Sequence, residues 1–252
     1  MSGHSKWATI KHQKGAKDKA RGKLFAKLIR QVEVAARAGG GDVDTNPTLR
    51  TMFQKARSNS VPIDTIERAI KRGTGELEGI TYESITYEGY APGGVAVLVE
   101  VLTDNRNRTG PEVRTLFARN GGSLAEPGAV AWQFERIGSL VVPGSADEDE
   151  LMLAAIEAGA TDVAAEGDTW HVTTGPTDLH TVQDALTEAG FEVTSADLTM
   201  VPTTTIAIGD AESAKPVIRV LEALDDHDDV QDVHANADIA DDVIAELATS
   251  DA

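Results

Sequence analysis

Four basic residues near the N-terminus have the spacing needed to bind phosphate groups along one face of a helix. Intervals of four, four and three residues separate Lys19, Lys23, Lys27 and Arg30. Like charges four residues apart cost an isolated helix roughly 0.2 to 0.5 kcal/mol per pair, and few acidic residues lie nearby to offset that cost. The pattern favours polyanion binding, and a solvated helix face is the alternative. Lys19, Lys23 and Lys27 lie off the apolar stripe of the predicted helix, so we expect that replacing them with Glu weakens binding without unfolding the helices.

Residues 2–17 carry further cations among glycines and small polar residues, with too few apolar side chains to form a core. The composition predicts a flexible arm that folds on a phosphate backbone. Trp7 would stack on a base, a contact worth roughly 1 to 3 kcal/mol, unless it packs on the following helices instead. The primary candidates for nucleic-acid binding are Lys6, Trp7, Lys11, His12, Lys14, Lys17, Lys19, Arg21, Lys23, Lys27 and Arg30.

Two other groups are candidates for secondary phosphate contacts. Arg106, Asn107 and Arg108 lie between a predicted strand and a predicted helix, where arginines and amides can hold a phosphate. Asn and Asp side chains also fix turns, so a capped turn is the alternative. A second group on a predicted helix extends the positive surface and consists of Arg68, Lys71 and Arg72.

The sequence predicts no catalytic, metal or cofactor site. There is no cysteine, which excludes a thiol nucleophile and a thiolate metal site. The six histidines are scattered without HExxH spacing, and the chain has no phosphate-binding loop, nucleophile elbow or dinucleotide motif. The run Asp225-Asp226-His227-Asp228-Asp229 could bind a divalent cation weakly, and a solvated helix end is the alternative. We therefore expect a protein that is not an enzyme.

Charge is divided unevenly along the chain. Residues 1–75 contain 16 Lys or Arg and 6 Asp or Glu, whereas the remainder contains 7 basic and 35 acidic residues. From Ile137 onward, Lys215 and Arg219 are the only basic residues against 26 acidic ones. Because a polyanion is repelled by that acidic part, nucleic acid can approach only the N-terminal part.

No secretory signal pattern or membrane-length apolar run is present. We expect a cytoplasmic protein without a membrane partner, and nothing in the sequence predicts an oligomeric state.

Three short amphipathic helices are predicted to position the basic residues. The first runs from Asp18 to Ala38 and ends at a run of glycines. The second has Asn46 as its N-cap and Pro47 in its first turn, and continues to Ser58. The third begins at Pro62 and stops at Gly73. It buries Ile63, Ile66 and Ile70.

After Gly75 the apolar pattern changes to that of strands and helices in alternation. Strands are predicted at 82–90, 95–102 and 130–135 with a helix at 110–120. The next elements, β 137–142, α 148–158, β 161–166, β 169–174, α 178–189 and β 192–201, follow the ferredoxin-like order βαββαβ. A strand near 204–208, a helix near 211–225 and a strand near 230–235 need a partner in the first sheet.

This order predicts an α+β multidomain protein with an N-terminal three-helix bundle and two ferredoxin-like domains, one inserted in the other. The predicted parts are a basic arm and helical domain at 1–78, an α+β domain at 79–136 plus 203–240, an inserted ferredoxin-like domain at 137–202 and an acidic C-terminal helix or tail at 241–252.

Several long strings closely resemble the YebC/PmpR family, which includes the mitochondrial translational activator of cytochrome c oxidase. They are GHSKWATIKHQKGAKDKARGKLFAKLIR, VPIDTIERAIKRGTGE, YEGYAPGGVAVLVEVLTDNRNRT and NGGSL. The resemblance implies a helical domain followed by two α+β domains around a cleft. For bacterial members it implies DNA-binding transcriptional regulation or, alternatively, ribosome association that helps translation of difficult stretches. Gly110-Pro111 and the acidic C-terminal third depart from the family pattern.

Three functions therefore stay open. The first is a DNA-binding transcriptional regulator, for which the break between the second and third helices permits a helix-turn-helix. The second is a translation factor that binds ribosomal RNA or the ribosome. The third is a protein-interaction scaffold whose acidic cleft binds a basic partner, with the arm playing no part.

Overall fold

The computed structural model of the protein describes residues 19–250 and has an α+β architecture, which confirms the predicted class. Three helices precede two four-stranded antiparallel sheets, and a parallel pair of short strands lies near the C-terminus. Within the described residues, no helix has both the length and the apolar character needed to cross a membrane.

The N-terminal helices are α1 (Lys19–Gly39), α2 (Pro47–Ser58) and α3 (Ile63–Thr74). They enclose a separate apolar cluster that includes Leu28, Val32, Leu49 and Ile66. Asn46 starts α2 as predicted, because its side chain accepts the Leu49 N–H and donates to main-chain oxygens at the end of α1.

One predicted core residue of α3 is exposed. Ile63 is 42% accessible, so the prediction that it is buried is wrong. The buried face is centred on Ile66, Ala69 and Gly73, and Ile63 lies in the first turn at the margin of that face. A Cβ atom at Gly73 would lie 2.4 Å from the Glu33 main-chain oxygen, so glycine allows α1 and α3 to approach closely here.

The first sheet has the strand order β3-β1-β2-β9, with β1 at Glu83–Tyr90, β2 at Ala96–Thr103, β3 at Ser123–Leu124 and β9 at Val230–Ala235. Two helices, α4 (Arg106–Arg119) and α7 (Ala211–Asp225), contribute to its apolar core. Strand β9 pairs antiparallel with β2, so the chain does return to the first sheet near its C-terminus.

Strand β8 (Ile206–Ile208) does not join that sheet. It pairs in parallel with β10 (Ala237–Ile239), a strand that the sequence pattern did not predict. Helix α8 (Asp241–Ser250) follows and contributes Val243, Ile244 and Leu247 to the same core.

The second sheet lies between these two parts of the chain. Its elements are β4 (Phe134–Pro143), α5 (Glu148–Glu157), β5 (Asp162–Glu166), β6 (Thr169–Thr174), α6 (Leu179–Glu188) and β7 (Ser195–Pro202), and its strand order is β5-β6-β4-β7. Leu151, Leu179, Val182 and Leu186 pack from α5 and α6 into the core of this sheet.

The predicted strands 130–135 and 137–142 form one strand, β4, which pairs with both β6 and β7. The residues before it are not extended. Ala131–Gln133 is a 3₁₀ turn, and the buried Glu88 carboxylate accepts N–H groups from Gly128, Val130 and Ala131 at 2.6, 2.6 and 2.8 Å. A carboxylate on β1 therefore satisfies backbone donors that a strand partner would otherwise have to satisfy.

Candidate nucleic-acid interface

The predicted arm residues Lys6, Trp7, Lys11, His12, Lys14 and Lys17 lie outside the described residues, and Lys19 is described only by its backbone at the start of α1. The remaining primary candidates are Arg21, Lys23, Lys27 and Arg30. Arg21 is exposed, and its guanidinium carbon lies 5.4 Å from the centre of the Phe25 ring.

The other three candidates, Lys23, Lys27 and Arg30, contact an acidic segment about two hundred positions further along the chain. Lys23 Nζ donates to the main-chain oxygen of Asp226 at 2.8 Å and lies 3.0 Å from its carboxylate. Lys27 Nζ makes the same pair of contacts to Asp225, at 2.7 and 3.3 Å. The basic face of α1 is therefore covered in part by the chain itself.

Arg30 completes this set of contacts. Its guanidinium donates to the main-chain oxygen of Asp228 and lies 3.6 Å from the carboxylate of Asp229. We call residues 225–229 the acidic segment. It lies at and just beyond the C-terminal end of α7, where helix carbonyl groups lack intrahelical donors and carry the negative end of the helix dipole.

Burial of these cations is unequal. Lys27 is only 7% accessible, whereas the Lys23 side chain is 31% exposed and its partner Asp226 is 80% exposed. The expectation that these lysines occupy a replaceable helix face is wrong for Lys27, because its amino group is held between α1 and the acidic segment. Whether the three residues bind nucleic acid stays a prediction.

Asp229 links the acidic segment to the first sheet. Its carboxylate accepts a hydrogen bond from Thr109 at 2.7 Å and one from Arg108 at 2.6 Å. Burial opposes ionisation, but the hydrogen bonds from Thr109 and Arg108 outweigh it and hold the pKa of Asp229 below its ordinary value. Asp229 is therefore an ionised carboxylate fixed between α1, α4 and β9.

The secondary candidates at 106–108 lie in the first turn of α4. The helix begins at Arg106 and not at Gly110 as predicted, because the Asn105 side chain accepts the Arg108 N–H as an N-cap. Arg106 pairs with Glu83 at 3.2 Å, and Asn107 is exposed. The geometry shows the capped turn, and phosphate contact by these residues remains a prediction.

The candidates on α3 have different surroundings. Arg68 and Lys71 are exposed, and Arg68 donates to the main-chain oxygen of Asp64 within its own helix. Arg72 instead binds the buried Glu33 carboxylate at 2.9 Å and so ties α3 to α1. Arg57, which the sequence pattern did not single out, is also exposed at the end of α2.

A second polar junction connects α2 to the second sheet. Lys55 Nζ lies 3.1 Å from Asp197 Oδ1, and Thr51 Oγ1 lies 3.0 Å from His180 Nε2. Burial alone would lower the pKa of Lys55, but nearby carboxylates, above all Asp197, outweigh burial and raise that pKa. The N-terminal helices are therefore connected by charged contacts to both sheets.

Sequence reasoning missed the contacts between the acidic segment and α1. The sequence pattern alone indicates a solvated helix end or a weak cation site. Among the described residues, no group of three or more histidine or carboxylate side chains is arranged to hold a metal ion. Two features of the sequence together indicate the contacts with α1. Few acidic residues lie around the cations of α1, and four lie within residues 225–229.

Comparisons with known proteins cover nearly the whole chain. Residues 5–76 match the model of the TACO1/YebC protein N-terminal domain, and residues 82–237 match that of the TACO1/YebC second and third domain. A probable transcriptional regulatory protein of Thermobifida fusca is 54% identical, over 98% of this chain and 100% of that protein. One of the same name from Halothermothrix orenii is 52% identical, over 98% and 99%.

A solved structure agrees with the sequence comparisons. The crystal structure of a conserved hypothetical protein from Aquifex aeolicus has a TM-score of 0.82 and 47% identity, and the match covers 90% of this chain and 95% of that one. Sequence and fold give the same assignment: this chain belongs to the TACO1/YebC family.

Proposed function

We propose that this protein is a nucleic-acid-binding regulatory protein that contacts its target through the N-terminal part of the chain. The observation that carries the proposal is the division of charge, with 16 basic against 6 acidic residues in 1–75 and 7 against 35 in the remainder. Cations supply most of the affinity for a phosphate backbone through release of counterions. The name of the relatives, probable transcriptional regulatory protein, is the reason to test duplex DNA first.

The contacts of α1 divide the candidate residues into two groups. Lys23, Lys27 and Arg30 already bind carbonyl and carboxylate oxygens of the acidic segment, so a phosphate has to displace that segment to reach them. Arg21, Arg68 and Lys71 are exposed and need no displacement. We therefore assign the initial contact with nucleic acid to the arm, residues 2–17, together with the exposed cations. The covered cations of α1 would contact phosphates only after the acidic segment has been displaced.

Helices α2 and α3 are the part that a helix-turn-helix mode would use. Only the segment 59–62 separates them, and in that mode α3 would enter the major groove with Arg68 and Lys71 outward. Asp64 and Glu67 are exposed on the same helix, so α3 is not a strongly basic surface. Most of the affinity should then come from the arm.

The domain division is also a proposal. A three-helix unit at 1–78 is supported by its own apolar cluster. An inserted ferredoxin-like domain at 137–202 is supported by the order β5-β6-β4-β7 in a βαββαβ chain. A second α+β domain of this type at 79–136 plus 203–240 is supported by its four-stranded antiparallel sheet and the shared core with α4 and α7.

Salt dependence of binding tests the function directly. With the full chain, a fluorescent DNA duplex and anisotropy detection, six phosphate contacts should give a slope of log affinity against log salt of about −5. The double variant R68A/K71A should reduce the magnitude of that slope by about 2. Its matched control, K215A/R219A, removes two exposed cations from the acidic part and should leave the slope unchanged. A slope near zero for the unmodified protein would contradict the proposal.

Ribosomal RNA is the alternative target, since the basic residues at 2–17 suit the phosphates of either nucleic acid. Crosslinking in cells, with sequencing of both recovered DNA and recovered RNA, separates the two. Discrete promoter DNA supports a transcriptional regulator, and recovery dominated by ribosomal RNA supports a translation factor. The scaffold function would be supported instead if a variant lacking residues 2–17 still bound a protein partner and no nucleic acid was recovered with it.

A further inference from the structure

Helix α5 (Glu148–Glu157) has apolar side chains on two opposite faces. Leu151 and Ala155 are fully buried against the second sheet. On the other side, Met152, Leu153 and Ile156 are 37%, 61% and 60% accessible. A surface helix normally has one apolar stripe and one polar face, so the outer face of α5 requires an explanation beyond packing of the fold.

The three exposed side chains form one patch. Met152 and Ile156 are four residues apart and Leu153 and Ile156 are three apart, so they are neighbours on the helix surface. Single exposed apolar residues are common on proteins and need no explanation, but grouped ones indicate an interaction surface. We call Met152, Leu153 and Ile156 the outer apolar face.

Charge around this face restricts its partner. Four exposed acidic residues share the helix, namely Glu148, Asp149, Glu150 and Glu157, and the sequence has no Lys or Arg between Ile137 and Ala214. A nucleic acid or an anionic membrane surface would be repelled. A symmetric contact with a second copy would bring each acidic margin against its equivalent, because two-fold interfaces pair a patch with itself.

We propose that the outer apolar face of α5 is a docking site for a basic amphipathic segment of another protein. Leucine-like side chains of the partner would cover Leu153 and Ile156, and its lysines or arginines would lie beside the surrounding carboxylates. This mode corresponds to the packing of an amphipathic helix by its apolar residues at intervals of three and four. The site is independent of the nucleic-acid proposal, because it uses no residue of the N-terminal part.

A synthetic peptide tests the chemistry of the site. The probe is a fluorescent 14-residue Leu/Lys peptide with leucines at helical intervals of three and four, and its control is a scrambled peptide of the same composition. Both are titrated against the full-length protein with anisotropy detection. Binding of the patterned peptide alone, weakened by salt, is expected. Equal binding of both peptides overturns the proposal.

Matched variants locate the site. L153Q/I156Q should lower the affinity for the patterned peptide about tenfold or more, because it removes two apolar contacts. A tenfold loss corresponds to about 1.4 kcal/mol of binding free energy. The control L77Q/I80Q changes two other exposed apolar residues, which are 45% and 51% accessible, and should bind as the unmodified protein does. Equal loss in both variants, or in neither, overturns the assignment.

Two further measurements separate the remaining outcomes. E148Q/E157Q should weaken binding and reduce its salt dependence, and an unchanged salt dependence would overturn the charge argument. In sedimentation without peptide, we expect the unmodified protein and L153Q/I156Q to have the same oligomeric state. Self-association of the unmodified protein that is lost in L153Q/I156Q would mean that a second copy of the chain covers the outer apolar face, and would overturn the proposal. Circular dichroism establishes that each variant is folded, and L153K provides a second substitution at the same position.

Discussion

Helices α1 and α3 both carry cations that the sequence marks as phosphate ligands, but the fold treats them in opposite ways. On α1, Lys27 is buried and Lys23 and Arg30 are partly buried against the acidic segment. On α3, Arg68 and Lys71 are exposed, and each has an acidic residue four positions earlier on its own helix, Asp64 and Glu67.

The difference lies in where the countercharge is located in the sequence. Helix α3 carries its own acids at the spacing that stabilises an exposed helix, so its cations need no distant partner. On α1, Lys23, Lys27 and Arg30 have no acidic residue four positions earlier, and in the folded chain residues 225–229 supply their countercharge. A local excess of positive charge therefore indicates an acidic partner. For Lys23, Lys27 and Arg30 that partner is the acidic segment of the same molecule.

The largest effect that can test this comparison is loss of stability in K27A. Removal of the buried amino group deletes its ion pair with the Asp225 carboxylate and its hydrogen bond to the Asp225 main-chain oxygen, so we expect a loss of about 3 kcal/mol in the free energy of unfolding. Urea unfolding followed by far-UV circular dichroism measures it. A loss below about 0.5 kcal/mol would mean that the face of α1 is open in solution.

Asp229 should give the next largest effect, with a dependence on pH. D229N removes a charged acceptor of two hydrogen bonds, and we expect a loss of about 2 kcal/mol near neutral pH. Because the folded-state pKa of Asp229 is depressed, its contribution is present above the ordinary aspartate pKa and is lost as the pH falls through the folded value.

The difference in urea midpoint between the unmodified protein and D229N should therefore shrink as the pH is lowered from about 6 to about 3. Other carboxylates titrate in both proteins, so the difference isolates Asp229. A constant difference across this range would show that the loss comes from shape and not from charge.

K23A should have a smaller effect than K27A. The pair Lys23–Asp226 is largely exposed on the aspartate side, and exposed ion pairs contribute less than about 1 kcal/mol. The same urea experiment applies. If K23A were as destabilising as K27A, burial would not be what distinguishes the two lysines.

The smallest effect on stability is expected for K71A, within about 0.5 kcal/mol of the unmodified protein. Its effect should appear in binding instead, as a reduction of about 1 in the magnitude of the salt slope. A stability loss without a binding loss would reverse the comparison between α1 and α3.

Local structure was predictable where a residue type has one strong local preference. Asn46 and Pro47 set the start of α2, and the patterns at 169–174 and 211–225 gave β6 and α7 with the bounds that the structure has. Gly110 and Pro111 predict a boundary at the start of α4, whereas the structure has Asn105 as the cap, so the helix begins four residues earlier than the pattern predicts.

Contacts over long sequence distances were not predictable from these patterns. Lys23 and Asp226 are 203 residues apart, and no local periodicity links them. The Glu88 carboxylate is a similar case, since its three backbone donors are 40 to 43 residues away. Complementary charge narrows the set of possible ion pairs, but the position of the C-terminal end of α7 next to α1 in the fold selects the pairs that form.

The pairing of Phe134 with Pro202 at the base of the second sheet has a consequence for modularity. The chain enters and leaves residues 134–202 on adjacent antiparallel strands, about 5 Å apart, a gap that a two-residue hairpin turn can span. We propose that the segment is attached as a cassette, whose excision or exchange leaves the distance between the two flanking chain ends unchanged. Its removal would cost α2 the contacts of Lys55 and Thr51 with Asp197 and His180. It would also remove Phe134 and Met200 from the apolar cluster that they form with Ala96 and Leu98 of the first sheet.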